Sequence, residues 1–172
     1  MMHDMRQRLG ATFRRLLPVL VLLLFVLMGT APLRLPFIEN AAPPLVLMGV
    51  YFWAVFQPVL MPSWVVFVIG LLQDLLLGLP LGISPALLVL VHWIARAHRR
   101  LIVRQSFLVV WTGFFLMALL ATVLEWVGTS LLAWHLVPVL PMVLRFLEAI
   151  LLFPPLLLWG LHPANRAISG QE

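Results

Sequence analysis

The chain has 172 residues, of which 63% are hydrophobic and only 10% charged. A soluble domain carries roughly 45–50% apolar and about 25% charged residues, and so short a chain cannot hide this apolar excess inside one globule. A water-soluble domain, a disordered chain and a disulfide-stapled module are excluded, the last because there is no cysteine.

The net charge of +5 rests on eleven basic residues, all of them arginine. They fall in short clusters between apolar runs, the pattern of loops facing anionic lipid and not of a nucleic-acid-binding face. The fold class expected is an all-α polytopic membrane protein.

Six apolar stretches are expected in chain order, near 16–33, 42–57, 63–79, 82–96, 106–133 and 137–161. A span needs about 17–25 residues, so the second and fourth are short and the fifth is long. Fourteen prolines punctuate the chain. Pro32, Pro36, Pro43, Pro44, Pro58, Pro62, Pro80 and Pro138 mark breaks. Pro18, Pro85, Pro141, Pro154 and Pro155 lie inside or at the ends of spans, where neighbours must satisfy the carbonyls they free.

Arginine placement sets the orientation. With the N-terminus inside, Arg6, Arg8, Arg14, Arg15, Arg96, Arg99, Arg100, Arg104 and Arg166 are all cytoplasmic. Only Arg34 falls outside, and Arg145 lies within a span. Both termini inside demand an even number of spans. Six fits; four also fits if the second and third stretches form one re-entrant hairpin. The run Leu20–Met28 after a basic stretch resembles a signal peptide, but five further apolar stretches favour an uncleaved first span. The domain expectation is a basic cytoplasmic segment over 1–15, one six-helix domain over 16–162 and a cytoplasmic tail over 163–172, with a cytoplasmic arginine loop at 96–105.

Ionisable groups in hydrocarbon are costly and mark candidate sites. There are four: Asp74, Glu125, Arg145 and Glu148. Gly70, Asp74 and Gly78 stand at i, i+4 and i+8, and small residues at that spacing let another backbone approach. Asp74 therefore reads either as a carboxyl in a partner or cavity-lining seam, or as a packing residue hydrogen-bonded across the seam. Glu125 sits on a similar stripe with Ala118, Thr122 and Thr129.

Arg145 and Glu148 are three apart, close enough to pair on one helix face, and are expected to form a buried charge cluster. Arg145 either bridges Glu148 to one of Asp74 or Glu125, or pairs with Glu148 alone. His92, His98, His135 and His162 read as interfacial residues, and Trp64, Trp134 and Trp159 as an aromatic belt. No nucleophile elbow, His-Glu-x-x-His pair, phosphate-binding loop or Asp-rich metal motif is present, so no catalytic residue, cofactor or metal is expected.

Three stretches carry a family resemblance. PPLVLMGVYFW over Pro43–Trp53 precedes GLLQDLLLGLPLGISPALLVLVHW over Gly70–Trp93, and LLATVLEW ends at Trp126. With Gly70, Asp74, Gly78, Pro80, Leu81 and Gly82 in this order, the chain resembles the rod shape-determining MreD family, in its alphaproteobacterial branch, from about 43 to 130. One departure is Leu45, where many members carry a polar residue after the proline.

The resemblance implies a non-catalytic component of the bacterial inner membrane in the cell-elongation machinery. The partners it implies are MreC and, through the complex, MreB, RodA and the elongation transpeptidase, with membrane lipid around it and no nucleic acid. It also implies a fold similar to the substrate-capture subunit of energy-coupling-factor transporters. Gly70, Asp74, Gly78, Pro80, Gly82 and Glu125 are the expected partner or helix-packing seam. The alternative is a small-molecule capture subunit of a transporter, which needs a polar pocket, and the spans offer few hydrogen-bonding groups beyond Gln73, Thr112, Thr122 and Thr129. A lipid-modifying enzyme is a third reading, disfavoured by the missing motifs.

Overall fold

Proline and glycine decide where each helix stops. The computed structural model describes residues 16–29, 44–102, 106–134 and 136–168, with side-chain surroundings as far as Leu157. Within them lie α1 (Leu16–Gly29) and α2 (Leu45–Phe56), α3 (Ser63–Leu77), α4 (Ile83–Ile102), α5 (Phe107–Ala133) and α6 (Val139–Ile168). Pro44 and Pro62 precede α2 and α3 as their N-caps, and Gly78 ends α3 in the left-handed region at φ 65°, a conformation glycine adopts without a Cβ penalty.

The shortest helix is the axis of the bundle. Nine of the twelve residues of α2 are buried, and α4, α5 and α6 all pack against it while α3 packs on α4. On the side of α1, Gly49 lies under the Leu22 and Phe25 side chains, where an added Cβ would sit 2.7 Å from Leu22 Cδ2 and push that side chain aside. Tyr51 donates its hydroxyl to the Val110 carbonyl at 3.1 Å. Its ring meets Phe114 and Phe153 edge-on, and those two stack at 3.9 Å between centroids. One fully buried aromatic cluster thus ties α2, α5 and α6 together.

The helices match the expected stretches in number and order, with two corrections at the ends. The arginine loop expected at 96–105 is helical through Ile102. Nothing from Ala95 to Ile102 breaks a helix, and Arg99 Nε donates to the Val55 carbonyl at 3.3 Å, a cation on the open C-terminal end of α2. In the same way α6 continues to Ile168, past the boundary expected at 162. The expected 1–15 segment, Pro32, Arg34, Pro36, Arg104 and His135 lie outside the described residues, as do the side chains of Trp159, His162 and Arg166.

Pro154 and Pro155 sit inside α6 without ending it. Pro154 has no N–H for the carbonyl of Ile150, four residues back. Trp111 of α5 supplies the missing donor, its Nε1 reaching that oxygen at 3.5 Å.

Two helices, α5 and the Val139–Leu157 part of α6, are long and apolar enough to cross a membrane. Only 22% and 17% of their apolar windows are buried. A core helix of a soluble protein shows the reverse. Leu116, Val127, Leu131, Leu140, Leu147 and Leu151 all stand exposed, so the outer face of this hairpin is built for hydrocarbon and not for water.

Candidate functional site

Asp74 is the fully buried carboxyl among the described residues, with no exposed surface. Its Oδ2 accepts the Gly82 amide at 2.8 Å and its Oδ1 the Ser84 amide at 3.3 Å. These are among the N–H groups that the first turn of α4 leaves without intrahelical partners. A side chain from α3 thus caps the helix that follows it, at the end where the helix dipole favours an acceptor. The backbone of the same residue closes the other side of the turn, since its carbonyl accepts from Gly78 and, at 3.0 Å, from Leu79.

The glycines around Asp74 separate into different jobs. A Cβ at Gly70 would lie 2.6 Å from Pro85 Cα, so α3 and α4 touch backbone to backbone there. The close approach expected of the small-residue stripe is taken up inside the chain. Gly78 has nothing within 4 Å of an added Cβ, and what its position needs is the positive φ. Gly82, at φ 104°, combines a left-handed turn with the amide that Asp74 holds. Pro80 lies between them and accepts the Ile83 amide at 3.5 Å.

Arg145 pairs across helices. Its Nη1 donates to Glu125 Oε1 at 2.8 Å, and each side chain of this α5–α6 ion pair is 22% exposed. Of the cross-helix partners left open for Arg145, Glu125 is therefore the one it meets and Asp74 is not, while Glu148, one turn further along α6, forms no ion pair with it among the described residues. Its Oε2 is buried and, among the described residues, has no hydrogen-bond partner. The pairing of Arg145 with Glu148 alone is thus set aside, and the charge cluster is centred on Arg145 with Glu125. Asp74 belongs to a separate site.

Two small cavities of ≈ 20 Å³ flank Arg145. One lies against Thr122 and Glu125 and the other against Leu77 and Gln73, whose buried Oε1 has no hydrogen-bond partner among the described residues. Each has room for about one water molecule. The hydroxyls of Thr112, Thr122 and Thr129 are bonded to carbonyls one turn back, at 2.8, 2.8 and 2.7 Å. They are spent on their own helices.

His92 corrects an expectation. It is not interfacial: it is fully buried, and neither ring nitrogen is hydrogen-bonded among the described residues. The outward turn of α4 is filled instead by Trp93, 68% exposed, while exposed His98 uses Nδ1 with the Ile94 carbonyl at 3.0 Å. Trp64 and Trp134 are exposed as a belt requires. Sequence reasoning passed over Tyr51 and Trp111. The only signals were a single tyrosine within an apolar run, and the need of Pro154 for a surrogate donor.

Fold and site together define a small helical membrane protein whose charged groups hold its own helices. Comparison with curated proteins and with solved structures finds no match. The family model described as rod shape-determining protein MreD matches residues 11–160, and the chain belongs to that family. Members are membrane proteins with a role in determining rod shape, and the family is a structural one.

Proposed function

We propose that the protein is a non-catalytic, multi-pass component of the bacterial inner membrane that supports cell elongation by scaffolding wall synthesis with MreC and MreB. All six helices are taken as membrane-embedded, with both termini cytoplasmic and RodA and the elongation transpeptidase reached through the complex. The observation that carries this reading is the family match over 11–160.

The polar groups agree with it. Asp74 is consumed by the α3–α4 turn, Glu125 by Arg145, and the threonines by their own helices. Among the described residues, the two cavities beside Arg145 hold about one water each. A capture subunit for a polar molecule needs a larger polar pocket. Asp74 and Gly70 then serve assembly by fixing the shape of the bundle presented to partners.

Capture of the tagged, full-length protein from native membranes in mild detergent tests the reading. Recovery of MreC with wall synthases is the expected outcome. Recovery of an ATPase pair with a coupling subunit would replace the scaffold with a transporter.

A further inference from the structure

We propose that the slot between α5 and α6 holds an acyl chain of a zwitterionic glycerophospholipid whose headgroup lies on the Glu125–Arg145 pair. The slot is a cavity of ≈ 290 Å³ walled by two matching faces, from Leu119 to Trp126 on α5 and from Val139 to Phe146 on α6. On each helix the wall residues stand at i, i+3, i+4 and i+7. Both faces are therefore straight strips two turns long, roughly 10 Å at 1.5 Å per residue.

The wall is apolar because its polar atoms are already committed. Thr122 Oγ1 bonds the Ala118 carbonyl at 2.8 Å, leaving its methyl to the slot, and Trp126 Nε1 bonds the Val137 carbonyl at 3.0 Å. A polar cargo finds nothing to bond.

Size selects between the apolar occupants. A helix is about 10–12 Å across, wider than a groove between two packed helices whose axes stand roughly 8–10 Å apart. A slender alkyl chain is of the right width.

The slot is not apolar along its whole border. Thr122 and Met142 line both it and the small cavity against Glu125 and Arg145. That pair is partly exposed, and a guanidinium has five N–H donors, more than Glu125 Oε1 engages. A phosphate can take further donors of Arg145 while an ammonium meets Glu125. Because the two charges already balance, an anionic headgroup gains little net attraction, whereas a zwitterion pairs both.

Depth permits this arrangement. The 27 residues of α5 span roughly 40 Å, about 10 Å more than a hydrocarbon core. Arg145 is six residues into α6, roughly 9 Å from the hairpin end, so the pair lies a few ångströms beneath the headgroups. A long cationic side chain bridges that distance.

The test uses the full-length protein, washed extensively in mild detergent to strip annular lipid. It is then exchanged into micelles with equal phosphatidylethanolamine and phosphatidylglycerol, and bound lipid is counted by native mass spectrometry. One phosphatidylethanolamine per chain is expected to remain. Val143→Trp, which fills the slot, is expected to lower occupancy at least tenfold. Leu140→Trp, on the exposed face beside it, is expected to change nothing, and Arg145→Gln with Glu125→Gln is expected to abolish the preference between the two lipids. Val123→Phe fills the slot from the other wall and replaces Val143→Trp if that variant loses helicity. Equal lipid retention in the filled and control variants would overturn the proposal. So would loss of a co-purifying protein, with no change in lipid, on filling the slot.

Discussion

The α3–α4 and α5–α6 hairpins solve the same problem in opposite ways. Each holds a carboxyl among apolar helices, fully buried at Asp74 and partly buried at Glu125, and a carboxyl so placed needs partners. In α3–α4 the partner is backbone: Asp74 caps the first turn of α4, and Gly70 lets Pro85 close on it. The result is a turn complete within eleven residues, from Asp74 to Ser84. In α5–α6 the partner is another side chain: Glu125 meets Arg145 twenty residues away, with water-sized space on either side. The first hairpin is a closed unit. The second stays partly open, carrying the large outward apolar surface and the acyl-sized slot. The general lesson is that a charged residue in a membrane helix need not mark chemistry; asking which orphan backbone group it satisfies comes first.

That contrast makes the α3–α4 turn the most sensitive place. Asp74→Leu leaves two amides of α4 without acceptors, and its expected effect is a loss of about 2–4 kcal/mol. Thermal unfolding of the detergent-solubilised protein would read it as the largest drop in Tm of the series. Asp74→Asn keeps one acceptor oxygen and should recover part of the loss.

Gly70→Ala comes next. Its Cβ would meet the Pro85 backbone at 2.6 Å, which cannot rotate away, so about 1–3 kcal/mol of overpacking is expected. Gly78→Ala separates the two glycine roles: there the space is open and the strain of a positive φ alone acts, at roughly 1 kcal/mol. Equal effects at both positions in the same unfolding assay would erase the distinction between them.

On the other hairpin, Arg145→Ala strands Glu125. Because both side chains are partly exposed, about 1–2 kcal/mol is expected, well below the cost of breaking a fully buried pair. The smallest effect belongs to Trp111→Phe, which removes a long hydrogen bond to the carbonyl that Pro154 frees; roughly 0.5–1 kcal/mol is expected. Pro154→Ala restores the backbone donor in that position. In the double variant the cost of Trp111→Phe should therefore shrink, and a double-mutant cycle of unfolding free energies would show it.

Much of the fold was legible because prolines and glycines bracket the apolar runs, and these fix helix number and order. The expected end of the fourth stretch at 96 failed for a physical reason. Charge was read as a loop, while Ala95–Ile102 has good helix formers and Arg99 docks on α2. Of the candidate site, the four ionisable residues stood out by composition alone. What spacing along one helix could not reveal was which partner lies across the bundle. Arg145 and Glu148 share a helix face, yet the ion pair runs from Arg145 to Glu125. The stripe Gly70, Asp74, Gly78 looked uniform, yet one glycine packs, one turns, and the carboxyl between them caps a neighbouring helix.

The central claim is that the charged groups of this bundle serve its own structure. The most direct test is reversal of the α5–α6 pair in rod-shaped cells. Glu125→Arg and Arg145→Glu are each expected to round the cells, and the two together to restore rods, because only the pairing matters. If the double variant is present at normal levels and folded but the cells stay round, these side chains act individually on a protein partner or a wall precursor and not through the pair they form, and the account is contradicted.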